Sequence, residues 1–316
     1  MSLRSHRLPP GLVLAVALLS VSFGGLFARW AAMPALAVTA WRVTLATFMV
    51  WGARAVWHWF HPPPLAEAYV AREVLRARWQ ATACGVLLAL HFATWITSLG
   101  LTTVAESTLL ADSTPVWVLL IGWAALGRRP QARQWAALLL AAAGIVVLVG
   151  GRLSNGVSLG NLLAVSSAVL MGLYLLFAEA AQRVLRFGQF VAHSYAVAAV
   201  VAWALVLVTG TSAAWDLPAI QPVSWAALFG VALVSQCIGH GGFNYSVRSV
   251  APAVVSLTIL GEPAIAGLLA WGLLGEVPSP AFYPGAALVL AGVGLAAWPA
   301  RAAVSSTTRR GPGSAG

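Results

Sequence analysis

The sequence predicts an all-α integral membrane protein in which ten transmembrane helices form two inverted five-helix repeats. Three observations predict this fold class: ten long apolar runs, arginines concentrated in alternate connections, and an internal repeat of constant spacing. The composition agrees, because 60% of the 316 residues are hydrophobic and only 8% are charged. Soluble domains carry about 25% charged residues, so water alone would not solvate this chain.

Each apolar run is long enough to cross a bilayer as a helix. A transmembrane helix needs about 20 predominantly apolar residues to span the hydrocarbon core. The runs are rich in leucine and alanine and lack the alternation that is typical of membrane β-barrel strands. We therefore predict helices at residues 11–28, 37–57, 80–100, 104–125, 132–150, 158–178, 190–210, 223–244, 250–272 and 281–299.

The ten helices divide the chain into two repeats with short polar ends. We expect a cytoplasmic N-terminal segment at 1–10, a first five-helix repeat at 11–150 and a second, inverted repeat at 158–299. Residues 300–316 are polar and rich in Gly and Ser, which predicts a disordered cytoplasmic tail. The longest connection, 58–79, contains three successive prolines and is amphipathic after them.

The arginines predict the orientation of the chain in the membrane. All 18 basic residues are arginines. If the chain crosses the membrane ten times, 15 of these arginines lie on the same side as both termini. Arg29 and Arg152 lie on the other side, and Arg42 lies within a span. Cytoplasmic loops of membrane proteins carry the excess of Lys and Arg. We therefore expect a multi-pass protein of the inner or plasma membrane with cytoplasmic termini, and the net charge of +10 does not indicate a nucleic-acid partner.

The second half of the chain repeats the first at a constant spacing. Pro115 and Pro263 define this repeat spacing (263 − 115 = 148), and other landmarks follow it: Leu126-Gly127 and Leu274-Gly275, Pro130 and Pro278, Gly144 and Gly292. Because five is an odd number of spans, the second copy inserts upside down. Inverted repeats are typical of secondary transporters, which bind substrate near mid-membrane between the repeats. A duplication without a transport role is the alternative.

Two segments share a pattern of a mid-helix proline, a Leu-Gly turn and a glycine-containing last helix. They are AESTLLADSTPVWVLLIGWAALGRRPQARQWAALLLAAAGIVVLV at 105–149 and APAVVSLTILGEPAIAGLLAWGLLGEVPSPAFYPGAALVLAGVGLA at 251–296. With Arg42 in WRVTLA, this pattern resembles the EamA-type members of the drug/metabolite transporter (DMT) superfamily. One departure is Arg128, where the pattern has Glu, whereas the second repeat keeps Glu276. The resemblance implies export of small metabolites, often amino acids, from the cytoplasm.

Two carboxylates lie within apolar runs beside a proline. Asp112 shortly precedes Pro115 in LLADSTPVWVLL, and Glu262 directly precedes Pro263 in LTILGEPAIAGLL. A proline kinks a helix, and an aspartate at a helix centre costs about 2.5–3.5 kcal/mol to insert, so it should face a cavity or a partner. We predict that both carboxylates line a central cavity and bind an ammonium group or a proton. A shallow position or a helix-capping role is the alternative.

Further polar and aromatic residues within the spans complete the predicted site. His91 and His240 are almost equivalent under the repeat, and either suits a substrate carboxylate or a proton. Arg42 suits bidentate binding of a carboxylate, a structural ion pair with Asp112 or Glu106, or a position in which its side chain snorkels outward. The other substrate-binding candidates are Trp95, Trp117, Asn244 and Tyr245.

The sequence contains no motif for ATP binding, nucleophilic catalysis or metal ligation. We therefore expect no cofactor, no enzymatic activity, and transport that is driven by a gradient or runs downhill. The expected partners are a small-molecule substrate, the lipid bilayer and, for antiport, protons; no oligomeric state is predicted. The alternatives are export of other metabolites or drugs, a non-transporting membrane subunit, and an intramembrane enzyme.

Overall fold

A computed structural model describes residues 9–61, 70–101, 107, 110–149, 158–216, 221–275, 277 and 280–297 of the chain. All regular secondary structure within these ranges is helical. The α-helices are α1 (Pro10–Val21), α2 (Gly24–Ala31), α3 (Ala35–Phe60), α4 (Ala71–Ser98), α5 (Thr114–Leu126), α6 (Ala132–Val149), α7 (Leu159–Ala181), α8 (Phe187–Thr209), α9 (Pro222–Gly230), α10 (Gly241–Ser246), α11 (Pro252–Ile259), α12 (Glu262–Leu274) and α13 (Phe282–Ala297). A short 3₁₀-helix covers Ser212–Ala214, and a π-helix, Val231–His240, joins α9 to α10.

These helices supply ten membrane segments in the predicted order. Seven segments of the described chain are long and apolar enough to span a bilayer, and three shorter apolar helices, α5, α6 and α13, occupy the fourth, fifth and tenth predicted spans. Helices α1 and α2 together form the first segment, and α9, the π-helix and α10 together form the eighth. The predicted fold class is confirmed.

Two helices are longer than the sequence predicted. Helix α3 ends at Phe60, three residues beyond the expected boundary, and α4 begins at Ala71, nine residues before the expected start at 80. A helix of 28 residues is about 42 Å long, which exceeds the ~30 Å hydrocarbon core. The sequence prediction missed the start of α4 because three arginines in its first turns lower the local hydropathy. A helix that extends beyond the bilayer does not need an apolar sequence there.

The helices of the structure follow the internal repeat of the sequence at the same spacing. Helices α5 and α12 differ by the repeat spacing at both ends (262 − 114 and 274 − 126). Each is followed by a glycine in the left-handed conformation, with φ of 66° at Gly127 and 69° at Gly275. The amide of Gly127 donates to the carbonyl of Trp123 at 3.0 Å, and that of Gly275 to Trp271 at 3.1 Å. Glycine adopts this conformation without steric cost, which explains the repeated Leu-Gly pair.

The last helices of the two repeats, α6 and α13, pack against each other through equivalent glycines. A Cβ atom on Gly144 would lie 2.6 Å from the backbone nitrogen of Val289, and one on Gly292 would lie 2.9 Å from that of Ala141. Both glycines and both contacts are related by the repeat spacing (292 − 144 and 289 − 141). A reciprocal contact of this kind is the signature of a two-fold relation between the repeats.

Spans four and nine are broken instead of simply kinked. Asp112 and Ser113 form a turn before α5, and Leu260 and Gly261 form a turn between α11 and α12. The prolines that were expected to kink these spans, Pro115 and Pro263, lie in the first turn of the helix that follows each break. Proline is well tolerated there, because the first-turn amides have no partner within the helix.

Candidate functional site

One cavity lies where helices of both repeats meet. The volume that the centres of water molecules can occupy in this cavity is about 40 Å³. This is enough for roughly three waters, at about 10–15 Å³ each. Six of the predicted candidates line it: Arg42, His91, Trp95, Asp112, His240 and Glu262. The structure therefore brings residues from spans two, three, four, eight and nine to one place.

Both carboxylates lie at the breaks of discontinuous helices. Asp112 is 7% exposed and occupies the turn that precedes α5, and Glu262 is the first residue of α12. The positive end of each helix dipole therefore points toward a carboxylate, which stabilises its negative charge. The Oδ2 atom of Asp112 is buried and has no hydrogen-bond partner among the described residues. Broken helices of this kind form substrate sites in transporters.

Arg42 is buried in the first third of α3 and is held by two neutral groups. It is 2% exposed, its guanidinium carbon lies 3.7 Å above the ring centroid of Phe92, and its Nε donates to Oε1 of Gln236 at 2.8 Å. Neither Asp112 nor Glu262 approaches its nitrogens within 4.0 Å. The alternative partner Glu106 lies outside the described residues.

Charged side chains of both signs border the cavity. They are Arg42, Asp112 and Glu262. With both carboxylates ionised, the three side chains carry a net charge of −1. One guanidinium therefore leaves one of the two carboxylates without a compensating charge.

The two histidines both pack against the ring of Phe92. His91 Nδ1 donates to the carbonyl of Ser167 at 2.9 Å, which leaves Nε2 as the free acceptor of the neutral ring. The rings of His91 and His240 are 6.5 Å apart between centroids, and His240 packs edge-on against Phe92 at 5.1 Å. Both imidazoles border the cavity beside the arginine.

Comparison with known proteins identifies the family. The sequence profile of the EamA-like transporter family matches residues 9–150 and 158–298, which together cover both repeats. The chain belongs to the EamA-like transporter family. It is therefore a multi-pass membrane protein and a small-molecule transporter, from a family of transporters and not of enzymes.

Two individual relatives of this EamA-like transporter agree with the family. An uncharacterized transporter, YwfM of Bacillus subtilis (strain 168), is 25% identical over 238 residues, which cover 72% of this chain and 77% of that protein. A solved structure that is described only as the crystal structure of a protein has a TM-score of 0.72 at 21% identity, and covers 91% of this chain and 96% of that chain. The second comparison shows the same fold.

Three predicted candidates of the transporter are outside the cavity lining. Trp117 donates its Nε1–H to Ser113 Oγ at 3.2 Å. Asn244 is fully buried and accepts a hydrogen bond from Tyr174 at 2.8 Å. Tyr245 packs edge-on against Phe187 at 5.7 Å, at the end of the eighth span.

Several residues that line the cavity or bind its arginine were not predicted, and they differ in the sequence signal that they leave. Gln236 is a polar residue within an apolar run, so the rule that intramembrane polar residues are functional would have found it. It lies in the π-helix Val231–His240, a rare conformation that is frequent at functional sites. Phe92, Met171 and Phe243 also line the cavity or hold its arginine, and apolar residues in apolar spans leave no such signal.

Proposed function

We propose that this EamA-like transporter exports small amine-bearing metabolites, first among them amino acids, by alternating access around the central cavity. The observation that carries the proposal is the cavity between the repeats, where two carboxylates and one guanidinium lie among aromatic rings. Such a site presents complementary charge to both ends of a zwitterion. Its position at broken helices matches the general location of substrate sites in transporters with inverted repeats.

Asp112 is the proposed partner of the substrate ammonium group. Its Oδ2 is buried and has no hydrogen-bond partner among the described residues. Glu262 is the counter-charge of Arg42 across the cavity. The two carboxylates therefore have different roles, although the repeat makes their positions similar.

The substrate carboxylate has two proposed partners. The terminal nitrogens of Arg42 remain as donors after Nε is bound to Gln236, and His240 lies beside the same ring of Phe92. Trp95 borders the cavity and offers an aromatic surface to the substrate side chain. Hydrogen bonds between ionised groups are roughly twice as strong as neutral ones, so the charged ends supply most of the specificity.

Proton coupling follows from the charge of the site. Without substrate, the net charge of −1 is neutralised by one proton on the carboxylate pair; with substrate, the ammonium group takes that place. A carrier that returns with a proton and leaves with an amine performs antiport. The proposed location is the cell membrane with cytoplasmic termini, which rests on the 15 arginines on one side against two on the other.

Flux of labelled amino acids in proteoliposomes tests the proposal. The proteins to compare are wild type, Asp112→Asn, Glu262→Gln and the control Asp216→Asn, which makes the same chemical change at an exposed position outside the cavity. We expect saturable flux that Asp112→Asn lowers at least ten-fold and Asp216→Asn leaves unchanged, and an imposed pH gradient accelerates it. Absence of flux for every amino acid overturns the substrate class, and equal flux in all four proteins overturns the site.

A second candidate substrate class is organic cations without a carboxylate. This class is favoured because Arg42, the residue that would bind a substrate carboxylate, is already covered by Phe92 and bound to Gln236. The same flux assay with an amino acid and its decarboxylated amine separates the two classes. Faster flux of the amine supports organic cations, and flux of the amino acid alone supports zwitterions.

A further inference from the structure

Five polar side chains form a buried column next to the cavity, within the second repeat. They come from α7, α8, the π-helix and α10, and their exposed fractions lie between 0% and 8%. The members of this polar column are Tyr174, Gln182, Tyr195, Gln236 and Asn244. Buried polar groups cost free energy unless they are paired, so five of them close together among apolar spans indicate a function beyond packing.

Hydrogen bonds connect the column to the cavity. Gln236 binds the cavity residue Arg42 through its side chain, and its carbonyl accepts a hydrogen bond from the hydroxyl of Tyr195 at 3.0 Å. Asn244 lies eight residues after Gln236 in the same span. The Oδ1 of Asn244 accepts from the hydroxyl of Tyr174 at 2.8 Å.

The column runs from the cavity to the arginine-rich end of the molecule. Eight residues separate Gln236 from Asn244 along the eighth span, a rise of at most about 12 Å. The backbone carbonyl of Asn244 accepts from Nε2 of Gln182 at 2.9 Å. Gln182 immediately follows α7 and precedes Arg183, whose side chain is 66% exposed.

The column also contains hydrogen-bonding atoms that the described residues leave unpaired. Gln236 Nε2 and Asn244 Nδ2 are buried donors without a partner, and Gln182 Oε1 is a buried acceptor without one. In proteins, such groups are nearly always bound to protein or to ordered water. Two donors and an acceptor along one column match the bonding capacity of water molecules, each of which makes about three hydrogen bonds.

The first repeat has no comparable column among its described residues. At the repeat spacing, Gln236 and Asn244 correspond to Leu88 and Ile96, which are buried and apolar. The fold therefore does not require polar side chains at these positions. Because the second repeat has these polar side chains and the first repeat does not, the polar column lies on one side of the cavity only.

We propose that the polar column is the cytoplasmic half of the transport route. It binds water molecules in the present conformation and admits substrate when the hydrogen bond between Tyr174 and Asn244 opens. The inference that substrate passes here rests on the proposed function, whereas the water and the opening do not depend on the identity of any substrate.

Radiolytic hydroxyl-radical labelling of the wild-type protein tests for the water. Side chains that adjoin bound water are modified, and dry buried ones are not. We expect modification of Tyr174 and Tyr195 although they are 1% and 0% exposed, and none of Phe190, which is also 0% exposed and packs against Tyr174. Equal protection of all three rings overturns the hydrated column.

Thiol labelling tests the opening, with Cys84 as a native reporter. Cys84 is fully buried, and its Sγ lies 3.6 Å from the carbonyl oxygen of Tyr174. In a Cys237→Ser background, Cys84 is the single thiol, because the chain has two cysteines. A membrane-impermeant thiol reagent is applied from either side of oriented vesicles, to Tyr174→Phe and to the control Tyr283→Phe, which changes an exposed tyrosine of α13.

Loss of the Tyr174 hydroxyl should favour the open form about five-fold, the effect of one lost buried hydrogen bond. We expect labelling of Cys84 to accelerate by about that factor, from the side of the arginine-rich end only, with no change in Tyr283→Phe. An unchanged rate, or equal acceleration from both sides, contradicts the proposal. Because neither measurement uses substrate, a negative flux assay and a dry or closed column are separate results.

Discussion

The contact between α6 and α13 permits a quantitative prediction, because two glycines two residues apart differ in what surrounds them. A Cβ on Gly292 would lie 2.8 Å from the carbonyl oxygen of Ala137 and 2.9 Å from Ala141, whereas one on Gly294 would meet no atom within 4 Å. Carbon atoms prefer separations of about 3.5–4.0 Å. The neighbours of Gly292 include backbone atoms, which cannot move aside like the end of a flexible side chain.

The two substitutions, Gly292→Ala and Gly294→Ala, share one effect and differ in the other. Both gain the helix propensity of alanine, about 1 kcal/mol, so this effect cancels in their difference. Only Gly292→Ala incurs overpacking, which costs about 1–3 kcal/mol. The free energy of unfolding of Gly292→Ala should therefore be lower than that of Gly294→Ala by about 1–3 kcal/mol.

Denaturant unfolding of the purified protein in detergent, followed by circular dichroism, measures this difference. Because Gly144 is the equivalent residue in the first repeat, Gly144→Ala should cost a similar amount. The double variant should cost less than the sum of the two, since both residues belong to one interface. Equal stability of Gly292→Ala and Gly294→Ala would refute the close packing of the two repeats and the two-fold relation drawn from it.

Three further outcomes are expected. Phe92→Leu removes the ring from above Arg42, and in a desolvated site this costs about 2 kcal/mol of stability by thermal unfolding, whereas Phe229→Leu, at a 49% exposed ring, costs less. Gln236→Leu leaves the Nε of the arginine unpaired and should lower the unfolding free energy by about 1–3 kcal/mol in denaturant titration; no loss would contradict the hydrogen bond. Arg128→Ala breaks an ion pair whose arginine side chain is 42% exposed, so the loss should stay below about 1 kcal/mol and shrink in high salt; a larger loss would contradict a surface role.

The sequence was sufficient to predict the architecture, because membrane insertion imposes strong constraints on composition and length. The apolar runs, the repeat spacing and the pairing of Gly127 with Gly275 all have direct counterparts in the helices. The spacing of four residues between Glu179 and Arg183 predicts an ion pair on a helix surface, and the pair is present at 3.1 Å. The predicted start of α4 is nine residues too late, because hydropathy indicates where the chain enters the bilayer and not where the helix begins.

The site could be predicted only in part from the sequence. The cost of burying Asp112 and Glu262 in a membrane pointed to a cavity, and both residues line one. Three other candidates, Trp117, Asn244 and Tyr245, lie elsewhere, because residue type and span give depth but not the direction in which a side chain points.

The broken helices and the partners of Arg42 required three-dimensional information. A proline predicts a distortion, but the surrounding packing decides whether the helix bends or stops. Phe92 and Gln236 come from spans three and eight, far from Arg42 in the sequence, and pairing at such distances leaves no local pattern.

Isothermal titration calorimetry of amino acids with the purified protein measures whether the cavity is a substrate site. Wild type, Asp112→Asn and Asp216→Asn are titrated under identical conditions. We expect saturable binding that Asp112→Asn weakens at least ten-fold, about 1.4 kcal/mol, and that Asp216→Asn leaves unchanged. Binding of equal affinity in all three proteins would contradict the assignment of the cavity as the substrate site.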